Sequence, residues 1–292
     1  MICNICPRHC GVDRQINKLG FCRVPSEFSI AKIMLHKWEE PCLSGKNGAG
    51  TIFFSGCNLG CVYCQNIDIS RGKKGTEMTS DELERAIFKL ADDGAECIEL
   101  VTPTHYTEGL SNLIEKIKPL VNLPFVWNSG GYESVESLRM LDGLIDIYLP
   151  DFKYFDNKIA AAYSSAPDYL EVATAALDEM LRQTGKTVID DFGMMKKGVL
   201  LRHLILPGHR NDSIAVLKHI AKKFGADRFR ISLMSQYTPD FYIGSGSAEH
   251  KNLCRRLTKF EHDSVMRVAE ELGFDGYFQS IDSADKKYTP KF

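Results

Sequence analysis

The chain of 292 residues has no apolar run long enough to cross a bilayer. Its opening, Met1-Ile-Cys3-Asn-Ile-Cys6, lacks the hydrophobic stretch of a secretory signal. With a formal net charge of −2 there is no global basic field to draw it onto bulk nucleic acid, although a local cluster can still hold a phosphate. Low-complexity tracts and internal repeats are absent too, which removes solenoids and linker-rich architectures. What is present in quantity is cysteine. Ten of them, grouped in CxxC-like clusters without a signal sequence, read as metal ligands in a reducing, cytoplasmic setting rather than as disulfides.

A hydrophobic content of 44% suits one large α/β domain with an appendage. Residues 1–48 carry five of the ten cysteines and one strand-like run, Phe28 to Leu35. The glycine-rich Ser44–Gly50 reads as a linker or tight turn, dividing the chain into a cysteine-rich extension (1–48) and a core domain (49–292). In the core, strand-like runs at Thr51–Ser55, Cys97–Val101, Phe125–Trp127, Leu144–Leu149, Val199–Leu206 and Phe229–Leu233 alternate with helical segments, the first opening at Ser80. Alternation at this spacing predicts parallel strands and a partial (β/α)6 TIM-like barrel.

The most specific signal is Cys57-Asn-Leu-Gly-Cys61-Val-Tyr63-Cys64, directly after the first core strand. A four-iron cluster normally takes four thiolates, so three leave one iron open to a ligand that is not protein. A zinc knuckle is the competing use of such cysteines. Tyr63, the turn-forming Gly56 and Gly60, and the preceding strand weigh against it.

With CxxxCxxC and an aromatic before the last cysteine, the chain resembles the radical SAM superfamily. The resemblance implies a [4Fe-4S] cluster on Cys57, Cys61 and Cys64 whose open iron chelates S-adenosyl-L-methionine. It implies one-electron cleavage to methionine and a 5'-deoxyadenosyl radical that abstracts hydrogen from a substrate. It also implies an anaerobic reaction fed by a reductant such as flavodoxin or ferredoxin. The continuation Gln65-Asn66-Ile-Asp68-Ile-Ser70 resembles the pyruvate formate-lyase activating enzymes at Asn66 and Asp68. It departs from them at Gln65 and Ser70, where they carry His and Trp, which weighs against a glycyl-radical partner. The stretch His36–Gly45 resembles a segment of the pyruvate formate-lyase activating enzyme-like family.

Barrel chemistry collects at the C-terminal ends of strands. In place of the superfamily's Gly-Gly-Glu, strand two ends with Thr102 and Thr104, expected to meet the cofactor's methionyl amino group. Asn128 and Ser129 end strand three. Asp151 and Lys153 end strand four, two residues apart and so aimed the same way. The resemblance places them, with Tyr63 and Asn66, around the cofactor. Strand five offers Arg202, His203, His209 and Arg210 for a carboxylate or phosphate, His203 being equally readable as a core histidine. Gln236 suits a hydroxyl or nucleobase edge. Cys3, Cys6, Cys10 and Cys22 form a second set, read as structural zinc or a second iron–sulfur cluster. Glu39, Glu40 and Cys42 either line the site or brace the linker.

The expected function is radical SAM chemistry on a small anionic substrate, a nucleoside or nucleotide in the manner of a queuosine-type lyase. The N-terminal module and the segment Tyr154–Lys197 are expected to cover the barrel mouth and close a pocket. A glycyl-radical activase is the alternative, and a non-catalytic iron–sulfur electron carrier the second.

Overall fold

The computed structural model describes residues 2–16, 18–72, 74–243, 248–284 and 292. A small N-terminal ribbon pairs β1 (Ile2–Cys3) with β2 (Val12–Asp13). The main sheet contains β3 (Phe28–His36), β4 (Ala49–Phe54), β5 (Thr76–Met78), β6 (Ile98–Val101), β7 (Phe125–Ser129), β8 (Ile147–Pro150), β9 (Val188–Ile189), β10 (Met195–Leu204), β11 (Arg230–Met234) and β12 (Gly276–Phe278). Its order is β12-β11-β10-β8-β7-β6-β4-β3-β5, with β9 paired to β10.

From β4 through β12 the main-path neighbours are parallel and follow chain order, so the sheet winds in one direction. It ends at β12 on one edge and at the antiparallel pair β3 and β5 on the other: an open, partial barrel. The six expected core strands are all present. A seventh parallel strand, β12, is added; its Gly276 lies so close to β11 that a Cβ there would stand 1.9 Å from the Ile231 carbonyl oxygen.

The helices are α1 (Pro41–Ser44), α2 (Ile67–Ser70), α3 (Ser80–Asp92), α4 (Thr107–Ile117), α5 (Val135–Arg139), α6 (Asn157–Ser164), α7 (Tyr169–Thr184), α8 (Arg210–Phe224) and α9 (Lys259–Glu271). Helix α3 is capped by Thr79, one residue before its first helical position, and Glu82 reaches back to complete a capping box. The strands show why the sheet needs two covers. Ile52, Phe54, Leu100, Trp127, Leu201 and Leu233 are buried on the face that packs against the helices. The alternating residues Thr51, Glu99, Asn128 and Arg202 face the other way, into the concave interior.

The connection between β3 and β4 has a specific place. Cys42 and Leu43 of α1 pack with Ala49, Cys97, Val126, Ile147, Met195 and Leu200, which sit at or near the strand starts. Helix α1 therefore stoppers the N-terminal end of the barrel. The expected boundary at residue 48 falls inside this hairpin, because β3 and β4 are hydrogen-bonded from Ile30/Phe54 to His36/Ala49. Residues 2–16 and 18–27 lie instead over the C-terminal end: Arg14 donates to the His105 carbonyl at 2.5 Å, and Ser134 Oγ donates to the Ile5 carbonyl at 3.0 Å. The segment Tyr154–Lys197 supplies α6, beside the cysteine loop, and α7, which packs on β8 and β10. No helix among the described residues is long and apolar enough to cross a membrane.

Candidate active site

A cavity of about 500 Å³ runs through the concave interior, from the cysteine loop at one end to Glu39 and Glu40 beside α1 at the other. Cys57, Cys61 and Cys64 all line it. The loop that carries them is held by two left-handed glycines. Gly56 has φ 83, and a Cβ there would sit 2.5 Å from the Cys22 carbonyl oxygen. Gly60 has φ 73, and a Cβ there would meet Arg71 Nη1 at 2.8 Å. Burial, then the neighbouring Cys61 and Cys57, push the Cys64 thiol up to about 12, and burial followed by Cys61 raises Cys57. Binding to a metal offsets that cost by taking up the thiolate charge.

Among the described residues, no three Cys, His, Asp or Glu side chains converge closely enough to share a single metal ion. The donor set nevertheless fits a cluster, whose cysteines bind different irons. One loop presents three thiols to a common cavity, and no fourth cysteine lines it. The Oδ1 of Asn66, which also lines the cavity, is buried without a protein partner and is free to accept from a ligand. Around Cys61 the hydrogen bonds run in series: Tyr63 Oη to Tyr154 Oη (2.5 Å), Tyr154 Oη to Ser164 Oγ (2.6 Å), and Ser164 Oγ donating to Cys61 Sγ (2.9 Å).

Midway along the cavity, Lys153 Nζ donates to Asp151 Oδ2 at 2.6 Å, as their shared face predicts. Arg202 donates from Nε to Asp151 Oδ1 (3.0 Å) and from Nη2 to Asn128 Oδ1 (2.6 Å), with Glu39 Oε1 3.5 Å from Nη1. Asn128 in turn donates to Glu99 Oε1 at 2.6 Å, and Thr51 Oγ1 donates to Glu99 Oε2 at 2.8 Å. Glu99 is fully buried. Burial and then Glu39 hold its carboxyl far above the usual range. Burial followed by Glu39 lifts Glu40 to about 7. Burial alone would raise Asp151, but Lys153 and Arg202 hold it below its ordinary value.

Tyr63, Asn66, Thr102, Asn128, Ser129, Asp151, Lys153, Arg202 and Gln236 all reach the cavity with the three cysteines. Thr102 does so from a left-handed backbone, φ 57, unusual for a β-branched residue. Four expected residues lie elsewhere. Thr104 is buried beneath, donating to Glu133 Oε1 at 2.6 Å. His203 follows Arg202 and so points to the opposite face, where its Nδ1 meets the Phe152 carbonyl at 2.6 Å; burial drops it to about 4, so it is neutral. His209 pairs with Tyr163 Oη at 2.8 Å, and Arg210 stacks on Phe260 at 4.4 Å, both at the start of α8. The expected basic cluster is thus not assembled, and its one member in the cavity, Arg202, already faces Asp151 and Glu39.

Glu99 was not among the expected site residues, and Glu39 and Glu40 had no assigned role. The signal for Glu99 was a lone carboxylate inside the apolar run Cys97–Val101. Burying an acid in a central strand requires hydrogen-bonded partners.

The N-terminal cysteines also lie near one another. Cys6 is pushed up to about 12 by burial, opposed by a backbone hydrogen bond and reinforced by Cys22 and Cys10. Burial, and more weakly Cys3 and Cys10, raise Cys22 against the opposing charge of Arg14. His9 (φ 43) and Arg23 (φ 62), beside Cys10 and Cys22, are left-handed.

Comparison with known proteins gives a consistent picture. Residues 51–198 match the family model described as the Radical SAM superfamily. The uncharacterized protein MJ0674 of Methanocaldococcus jannaschii is 28% identical over 281 residues, covering 94% of this chain and 75% of that protein. The fold is shared with HydG, a maturase of the [FeFe]-hydrogenase (TM-score 0.53, 17% identity), over 78% of this chain and 50% of that one, so the chain spans half of HydG's length. A variant of spore photoproduct lyase is similar as well (TM-score 0.51, 12% identity), over 80% of this chain and 77% of that one.

Proposed function

Because the chain belongs to the radical SAM superfamily, we propose that it is an enzyme that removes a hydrogen atom from a small molecule held between the cysteine loop and Glu39/Glu40. In this superfamily a [4Fe-4S] cluster and S-adenosyl-L-methionine generally supply that radical chemistry, with electrons from an external reductant. Cys57, Cys61 and Cys64 would hold the cluster. Asp151 and Lys153, braced by Arg202, offer both signs of charge to the cofactor's amino-acid end, and Asn66 Oδ1 offers an acceptor.

The observation that carries the small-molecule reading is a cavity covered at both ends, with the N-terminal segment lying over the rim that bears the thiol loop. Helix α1 fills the N-terminal end of the barrel, and Glu39 and Glu40 form a floor. Carboxyl groups there favour a substrate that brings donors, such as the hydroxyls and amines of a nucleoside, over the compact anion expected from the sequence. Of structural zinc and a second cluster, Cys3, Cys6, Cys10 and Cys22 suit the cluster, whose cysteines bind different irons, because no three of them converge on a single ion. Their closeness supports the assignment, and metal analysis of the Cys57/Cys61/Cys64→Ala protein tests it: a folded sample with neither zinc nor iron removes the second site.

The test of function is 5'-deoxyadenosine release by the anaerobically reconstituted protein. Stimulation by donor-rich small molecules, lost in the triple alanine variant, is expected. Stimulation only by a glycyl-radical enzyme, with a protein-bound glycyl radical, would establish the activase instead.

A further inference from the structure

One side chain joins the two cysteine sites. Arg8 lies in the short loop between Cys6 and Cys10, a loop closed by a hydrogen bond from the His9 N–H to the Cys6 carbonyl at 3.0 Å. Its guanidinium leaves that loop and meets four carbonyl oxygens. Two belong to the catalytic loop, Asn58 (2.6 Å) and Leu59 (3.4 Å). Two belong to the end of α6, Ser164 (3.1 Å) and Ser165. Its flat faces are held as well, with Phe21 4.0 Å and Tyr132 5.1 Å from the guanidinium carbon.

The targets are what give this arrangement meaning. Asn58 and Leu59 sit between Cys57 and Cys61. Ser164 is the residue whose hydroxyl donates to Cys61 Sγ. The C-terminal carbonyls of a helix carry partial negative charge, so a cation there both caps α6 and fixes the direction of that hydroxyl. A second contact runs in parallel, with the Cys22 carbonyl tightly against Gly56.

From these contacts we infer that Arg8 is a positioning residue for the catalytic cluster, and that occupation of the Cys3/Cys6/Cys10/Cys22 site fixes Arg8. The inference rests on the proposed cluster at Cys57, Cys61 and Cys64. An iron–sulfur cluster in the N-terminal site immobilises the Cys6–Cys10 loop, and Arg8 transmits that order to the three thiolates and to the Ser164–Cys61 hydrogen bond. Only arginine reaches four acceptors at once; a lysine in its place offers a single nitrogen.

The experiment uses the full chain, reconstituted anaerobically, with iron release to a ferrous chelator and the EPR spectrum of the reduced cluster as readouts. The Cys57/Cys61/Cys64→Ala protein supplies the background from the N-terminal site. Arg8→Ala should release catalytic-cluster iron about tenfold faster or more and alter the line shape of the reduced cluster, as losing a ligand-orienting contact does. Arg8→Lys should fall between. Cys6→Ser/Cys22→Ser should reproduce the acceleration, and adding Arg8→Ala to it should add little further. Cooperative thermal unfolding is measured on each protein, and Arg8→Lys is read if Arg8→Ala fails to fold. Release at the wild-type rate in a folded Arg8 variant, or multiplication of the two effects in the combined protein, overturns the inference. A wild-type protein that forms no cluster at Cys57, Cys61 and Cys64 instead overturns the functional reading beneath it.

Discussion

Asp151 and Arg202 are joined twice: by an isolated parallel backbone bridge, one residue past the end of β8, to β10, and by a side-chain bond of 3.0 Å from Nε to Oδ1. The backbone bridge sets the register that brings the charges together, so the ion pair is a consequence of sheet pairing. Both side chains are largely withdrawn from solvent, 15% and 16% exposed. In such a setting each charge depends on its partner.

Arg202→Ala should therefore lower the stability of the apoprotein by about 1–3 kcal/mol: Asp151 keeps Lys153 but loses one charge-assisted hydrogen bond, and Asn128 Oδ1 loses its donor. Arg202→Lys should fall between, since one ammonium cannot serve both Asp151 and Asn128. Urea denaturation checks both, and an unchanged midpoint for Arg202→Ala counts against the pairing.

The Asp151 carboxyl is held below its ordinary value in the fold, so its contribution is present above the ordinary carboxylate range and disappears as pH falls through the lowered folded value. Asp151→Asn should flatten the acid limb of the stability–pH curve in that window. A limb as steep as in the wild type would assign the acid sensitivity elsewhere.

Glu40 gives the opposite sign. Raised to about 7 by burial and then by Glu39, it binds its proton more tightly folded than unfolded. Stability should fall between the ordinary glutamate value and about 7 as pH rises, then level off. Glu40→Gln removes this slope and should gain on the wild type at pH values above that window by on the order of 3 kcal/mol, with no gain in acid. Melting temperatures across the pH range decide it.

The left-handed Thr102 stores strain of about 1–2 kcal/mol. Thr102→Gly relieves it, and the greater freedom of glycine in the unfolded chain takes back up to about 1 kcal/mol. A net stabilisation of about 1 kcal/mol is expected by denaturant titration, together with weaker cofactor binding if the strain serves to aim this cavity residue. A loss of stability would mean that the side chain's contacts outweigh the strain.

At Gly56 any side chain is doubly disfavoured, by φ 83 and by the Cys22 carbonyl oxygen, which would lie 2.5 Å from an alanine methyl carbon. Gly56→Ala should cost about 1–3 kcal/mol and reduce iron loading at Cys57, Cys61 and Cys64. Iron content and thermal unfolding report the two effects separately.

Local pattern carried the reading of the fold a long way. The strand runs and the cysteine loop are short-range features and appear close to where they were expected, whereas α4, α8 and α9 open at Thr107, Arg210 and Lys259, ahead of the apolar runs that marked them, and the cap of α3 is Thr79 rather than Ser80. Period-two alternation correctly paired Asp151 with Lys153. Applied to Arg202 and His203, the same rule separates them, so the basic cluster could have been dissolved from the sequence. Strand β12 was harder to see, because three residues carry too little period to declare a strand and its partner β11 lies far away in sequence. The stopper was also hidden. Pro41–Ser44 is a short segment whose burial comes entirely from residues on other strands. Glu99 became a site residue only through Asn128 and Thr51, contacts made across the sheet.

The stopper also separates two tasks that barrels usually combine. The three thiols sit on a loop at one rim, while Glu39 and Glu40 line the cavity from a hairpin, residues 37–48, inserted from the opposite rim. Within that hairpin, Cys42 and Leu43 are tied to the sheet by packing, whereas Glu39 and Glu40 face the cavity, so exchange at those two positions should alter the floor while the sheet and the thiol loop remain untouched. Under the proposed function, substrate preference in this protein should respond to changes at Glu39 and Glu40 more than to changes in the strands.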